Sequence, residues 1–272
     1  MKLNAIYLAL LIGFCSCNTI KTPTTLGDPS NANSYGYHPM DPLPAWIENK
    51  TEKPISNAIL LASMPDETIR LAIAEVTLDG VLNFGTMSVG MAHHNYVVIL
   101  DYIKYSTDFF PVELDKNDPQ EFKILPRYEL NSYDDNTNSV SQGDAVVPVY
   151  VGVGLRLTAN VTVNKDGVDL GNLFAIGAQA SAKAITGTLT VQTLGISGEN
   201  ISAIIPMPSE INPTTIQNAI LALGTIKAKL YDDKTVVTPR VVGVYNNIGG
   251  SAKTINRFIS SILTQKPKFA VN

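Results

Sequence analysis

The chain is poor in cysteine, in charge and in long apolar runs, and each shortage excludes something. Its only cysteines are Cys15 and Cys17, so a body that begins after them can form neither a disulfide framework nor a thiolate zinc site. Charged residues make up 16% of the chain, against roughly 25% in an average soluble domain. Lys and Arg number 20 against 24 Asp and Glu, giving a net charge of −4, which is far from the basic footprint that nucleic acid backbones require and sets nucleic acid aside as a partner. Histidine is limited to His38, His93 and His94, and tryptophan to Trp46, so a long sugar-stacking platform is poorly supported. Beyond the first seventeen residues the longest apolar stretch, Ala145 to Leu155, contains Pro148, Gly152 and Gly154 and falls short of the ~20 residues that span a bilayer as a helix. No fixed repeat of roughly 20–50 residues is visible, which disfavours a solenoid. What is present argues for a folded protein: 45% of the 272 residues are hydrophobic, more than a disordered chain carries, and the length suffices for a substantial core.

The N-terminus carries an address. Met1-Lys2 supplies a positive charge, Ala5 to Phe14 is an apolar run, and Ser16 precedes Cys17; this is the length and order of a secretory signal. Residues 1–17 resemble a bacterial lipoprotein signal peptide, in which a small residue precedes the cysteine that is acylated after cleavage. The resemblance implies Cys17 as the lipidated residue, carrying palmitate-type acyl chains. It also implies an extracytoplasmic location, anchored to the outer membrane or another cell-envelope membrane, with the lipid bilayer as a partner through an N-terminal acyl anchor. An ordinary secretory signal and an uncleaved anchor are the alternatives, and all three place the body outside the cytoplasm.

The remainder divides into a tether and a domain. Residues 18–54 hold prolines at 23, 29, 39, 42, 44 and 54; lacking donor N–H groups at those positions, the segment cannot propagate a helix or a central strand and reads as a tether. Its cluster Tyr35, Tyr37, His38, Met40 and Trp46 is expected to dock on the domain C-terminal to it. Residues 55–272 read as a single β-rich domain. Strands are expected over 68–78 and 81–91, joined by a turn at Asp79-Gly80, and over 96–102. Residues 113–144 form a long charged loop, succeeded by a strand over 146–163 in which Val149, Val151, Val153, Leu155 and Leu157 share one face, and by a second alternating system within 173–196, clearest over 185–195. Asn212-Pro213 predicts a helix start with Gly224 as its stop, 236–245 returns to β, and Ser251 predicts a last helix to Thr264. The fold class is therefore α+β: an antiparallel β-rich sheet or sandwich with two C-terminal amphipathic helices.

Chemistry is sparse. The stretch from Tyr245 to Thr254 places a Gly-rich loop before a helix, which makes Gly249, Gly250, Ser251 and Lys253 an anion-site candidate. It is not a P-loop, because Ala252 and Asn247 stand where glycines are needed. His93 and His94 would point to opposite faces of a strand, and Asp101 would lie about 26 Å from His93 along it, so no metal site and no cofactor is expected. Gly195-Ile196-Ser197-Gly198 lacks the spacing of a nucleophile elbow. Asp134, Asp135, Asp144, Glu199 and Glu210 could supply a carboxylate pair, but acidic residues on turns are commonly solvated. The sequence thus favours a non-enzymatic reading, a lipid-anchored envelope protein with a binding or structural role and protein partners in an envelope assembly. The alternatives are an envelope hydrolase using Ser/His or carboxylates, and a membrane-inserting β-hairpin protein. A cleft with a pKa-shifted polar group would favour the enzyme; a contiguous apolar patch or an unpaired strand edge would favour assembly.

Overall fold

The computed structural model describes residues 36–50, 55–85, 89–115, 121–124, 145–177, 182–250, 252–265 and 267–271. The signal, Cys17, Ser251 and the carboxylates Asp134, Asp135 and Asp144 lie outside these. In chain order the first elements are β1 (Gly36–Pro44), β2 (Trp46–Asn49), α1 (Asn57–Ala62), β3 (Asp66–Val76), β4 (Leu82–Gly85), β5 (Val89–Gly90), β6 (Asn95–Leu114), β7 (Phe122–Ile124), β8 (Ala145–Val163) and β9 (Val168–Asp169). The later ones are α2 (Leu170–Ile176), β10 (Ile185–Leu194), β11 (Ile196–Ser197), α3 (Glu199–Ser202), β12 (Ser209–Glu210), α4 (Pro213–Lys229), β13 (Val236–Val237), β14 (Arg240–Asn246), α5 (Ala252–Thr264) and β15 (Lys268–Val271).

The architecture is α+β, built on a nine-stranded antiparallel sheet. Its spine is the pair β6 and β8, in unbroken register from Asn95 opposite Thr162 to Val112 opposite Ala145. On the other side of β8, β14 pairs with residues 149–152 and β10 with residues 154–163. On the other side of β6, β3 pairs with residues 96–105 and β7 with residues 112–114. β1 lies outside β14 and β4 outside β3. These two ends of the sheet meet, with the His38 ring against Phe84 at 4.5 Å between centroids, so the sheet rolls and acquires an inner and an outer face. Gly152 and Gly154 let β6 and β8 approach closely: a Cβ at either would collide with a β6 carbonyl oxygen, that of Lys104 or of Tyr102.

Alternation fills the outer face. Tyr96, Val98, Leu100 and Tyr102 of β6 and the odd-numbered residues from Val147 to Val163 of β8 are buried there together with Ile216, Ala219, Leu223 and Ile226 of α4 and Ile255, Phe258 and Ile262 of α5. Each large side chain among them contributes about 1.5–3 kcal/mol by leaving water. Helix α4 begins where the sequence predicts, at a capping box in which the Asn212 side chain accepts from the Thr215 N–H while Thr215 Oγ1 accepts from the Asn212 N–H.

Several expectations are corrected. Residues 36–49, expected to belong to the tether, form β1 and β2. The proline rule still holds, because β1 is an edge strand paired only to β14, and its register breaks between Pro39 and Leu43. Tyr37, His38 and Met40 dock as expected; Trp46 stays 56% exposed on β2. Helix α4 runs through Gly224 to Lys229: the burial of Ala222, Leu223 and Ile226 outweighs the ~1 kcal/mol cost of one helical glycine. Within 173–196, the first part is α2, with Asp169 accepting from the Asn172 N–H, Leu170, Leu173 and Phe174 on its buried face and left-handed Gly177 at its end. β6 extends to Leu114, and β7 lies inside the span expected as loop.

Candidate functional site

The inner face buries two of the chain's charges, Asp101 and Arg156. Asp101 stands opposite Arg156 across the spine and opposite Arg70 on β3, because all three have the strand parity that points inward. Asp101 is 0% exposed and Arg156 3%. Arg156 Nε donates to Asp101 Oδ1 at 2.8 Å and Nη2 to Oδ2 at 2.7 Å, and the Tyr37 hydroxyl donates to the same Oδ2. The rest of the guanidinium is also used, Nη1 donating to the Met40 carbonyl at 2.7 Å and Nη2 to the Val242 carbonyl at 2.9 Å.

Both carbonyls sit at register breaks, Met40 between Pro39 and Leu43 in β1 and Val242 between Val241 and Gly243 in β14. A bulge takes a carbonyl off the ladder, and Arg156 supplies the missing donors. One guanidinium thus ties the spine to the irregularities of two further strands. Burial pushes the Tyr37 hydroxyl well above its usual range, reinforced by the Asp101 charge. Burial opposes the charge on Arg156, but the hydrogen bonds and charge of Asp101 outweigh it and hold the guanidinium pKa above its ordinary value. His38, buried against Phe84, is pushed down to about 4 by desolvation and is neutral at pH 7. With its strongest lone-pair and donor directions taken, the Asp101–Arg156 pair works as a clamp rather than as a reacting group.

Two neighbouring surfaces are open. One is a cleft of about 710 Å³ beside the β1 bulge, whose lining includes Asp41, Gln192, Thr193, Ser197, Thr238 and Arg240. The other continues the inner face along the spine. Arg70 holds its guanidinium 5.8 Å from the Tyr150 ring centroid, and its buried Nε has no hydrogen-bond partner. Tyr105 packs edge-on to Tyr150 at 4.8 Å. Beyond Tyr150 the same face presents Phe109 opposite Pro148 and Pro111 opposite Val146, with Phe109 49% and Val146 41% exposed.

No protein-family model, no curated protein and no solved structure matches this chain. The geometry of the molecule is therefore what bears on its function.

The residues singled out in the sequence are dispersed. Gly249 and Gly250 have φ of 73° and 83°, and the Asn246 side chain accepts from the N–H groups of Ile248 and Gly249 at 3.2 and 3.1 Å, so part of the loop's donor set is turned inward. Lys253 is exposed on the first turn of α5 and borders a separate cleft with Asn256 and Arg257. His93 has φ of 65° in the turn before β6, and His94 contacts Glu75. Among the described residues no group of three or more His, Cys, Asp or Glu could hold a metal ion. Glu199 lies on α3 and Glu210 on β12. Sequence reasoning missed Tyr37, Arg70, Asp101 and Arg156 as a unit. The signal was a lone charge inside each of two strongly apolar stretches, Asp101 in YVVILDY and Arg156 in VGVGLRL.

Proposed function

We propose that the protein is a lipid-anchored extracytoplasmic envelope protein with a binding or assembly role, its body held at a membrane by acyl chains on Cys17. The observation that carries the binding role is the contiguous apolar row of Phe109, Pro111, Val146 and Pro148 on the open end of the inner face. Contiguous exposed apolar surface marks interaction sites in soluble domains. The anchor rests on Ser16-Cys17 closing the apolar run of residues 5–14. Among the described residues no helix is long and apolar enough to cross a membrane. A hydrolase is less well supported: His38 is buried against Phe84, and His94 engages Glu75 on an exposed turn.

Two substitutions test the two parts. Cys17→Ala moves the protein from the membrane to the soluble fraction and abolishes labelling with fatty acid; a variant that stays in the membrane pellet and still labels refutes the anchor at Cys17. Phe109→Glu with Val146→Glu keeps the circular dichroism of the native protein and reproduces the phenotype that gene deletion produces. A folded double variant with full biological activity refutes the binding surface.

A further inference from the structure

We infer that the open inner face is a binding site for an anionic amphiphile, with Arg70 receiving a carboxylate or phosphate head and the Phe109–Val146 row receiving its apolar body; this rests on the binding reading above and names its ligand class. The charge count comes first. Three adjacent strands place Arg70, Asp101 and Arg156 side by side, and the single carboxylate is engaged twice by Arg156 and once by Tyr37. Within this trio one positive charge is left over, on Arg70. Its guanidinium makes no hydrogen bond among the described residues, and its buried Nε is unpartnered, although a buried donor without an acceptor is destabilising. The Tyr150 face supports the cation without neutralising it. An anion supplied from outside would give the terminal nitrogens of Arg70 an acceptor, in the bidentate geometry that guanidinium groups favour for carboxylate and phosphate.

The body of the ligand is set by the register. From Tyr150 the inward-facing positions of β8 continue to Pro148 and Val146, and those of β6 run from Thr107 to Phe109 and Pro111. The lane from residue 150 to residue 146 is about 13 Å long at ~3.3 Å per residue and is apolar beyond Tyr150 and Thr107. A small hydrophilic anion would leave it wet, and a neutral apolar molecule would leave Arg70 unpaired.

The test uses decanoate and monodecyl phosphate as probes, with inorganic phosphate and neutral decyl glucoside as controls, measured by titration calorimetry on the acylated protein and on its Cys17→Ala form. Saturable one-to-one binding of at least one of the two anionic probes is expected, and which binds more tightly separates a carboxylate head from a phosphate one. Arg70→Gln, with unchanged circular dichroism, weakens that binding about tenfold or more, whereas Arg257→Gln on α5 leaves it unaltered. Unchanged affinity in Arg70→Gln, decyl glucoside binding as tightly as the anions, or no binding of either anionic probe overturns the inference. So does concentration-dependent self-association abolished by Phe109→Glu, because the occupant is then a second copy. The binding reading itself fails only if the Phe109→Glu and Val146→Glu protein keeps full biological activity, so the two failures are distinguishable.

Discussion

The two faces of one sheet are held together in different ways. The outer face is a continuous apolar layer of Val, Leu, Ile and Phe pressed under α4 and α5, and its members are interchangeable in kind. The inner face splits into two small clusters, one around Ile103, Tyr150 and Val242, the other around Ala74, Phe84 and Ile99, and the Asp101–Arg156–Tyr37 centre stands between them. Burial energy on the outer face is spread over many side chains, each replaceable at modest cost. On the inner face the fit of four strands depends on one guanidinium with several geometric obligations. A buried ion pair is weak evidence for stability as such; here it serves the bulged strands β1 and β14, whose carbonyls would otherwise be stranded.

Breaking that centre is expected to have the largest effect. Arg156→Met leaves Asp101 buried and charged and the carbonyls of Met40 and Val242 without donors, and costs about 3–5 kcal/mol. Combining it with Asp101→Leu removes the uncompensated charge and restores part of that loss, but not all, because the two carbonyls remain orphaned. Chemical denaturation of both single variants and the double variant measures this as a coupling energy. A cost for Arg156→Met no greater than that of an ordinary surface change would mean that the inner face is held by its apolar clusters alone.

The same contrast explains what the sequence made legible. The outer face announced itself through period-two alternation in residues 146–163 and 185–195 and through the Asn212-Pro213 helix start, because these are local signals that point to one partner surface. The inner centre did not. Tyr37, Arg70, Asp101 and Arg156 come from four strands, and only the register places them together. Asp101 could be assigned a parity from its own strand, but not a partner 55 residues away. The Pro-rich stretch misled for a related reason: proline forbids a central strand, and nothing local told an edge strand with a bulge from a tether. Helix α2 was passed over because its seven residues are too short for periodicity to outweigh the alternating segment after it.

A second experiment sharpens the comparison through pH. His38 is neutral in the folded protein down to about 4, whereas in the unfolded chain it titrates near 6.5. Below about pH 6.5 the unfolded state binds a proton that the folded state refuses, so the stabilisation is fully present above that value and is lost as pH falls toward 4. The loss reaches about 3 kcal/mol by pH 4. His38→Phe keeps an aromatic ring against Phe84 and removes the titration. Unfolding midpoints compared at pH 7 and pH 4.5 should therefore fall further in the native protein than in His38→Phe, after the carboxylates common to both cancel. Equal falls would show that the His38 ring is reachable by water and that the roll of the sheet opens at the contact between β1 and β4.

The smallest effect tests whether the two faces are independent. Asn212 caps α4 through a reciprocal pair of hydrogen bonds with Thr215, and α4 covers only the outer face, through Ile216, Ala219, Leu223 and Ile226. Asn212→Ala removes the acceptor for the Thr215 N–H at a helix start already fixed by Pro213, and costs about 1 kcal/mol. Asn212→Ser, which still offers an oxygen, costs less. Hydrogen exchange should show the loss as faster exchange in α4 and in the stretch of β8 beneath it. The pH-dependent stabilisation from His38 should remain unaltered when measured in the Asn212→Ala background, because sites without shared partners add. If the cap substitution also shrinks the His38 effect, the helix layer helps to hold the roll closed, and the inner face owes part of its burial to the packing on the opposite side of the sheet.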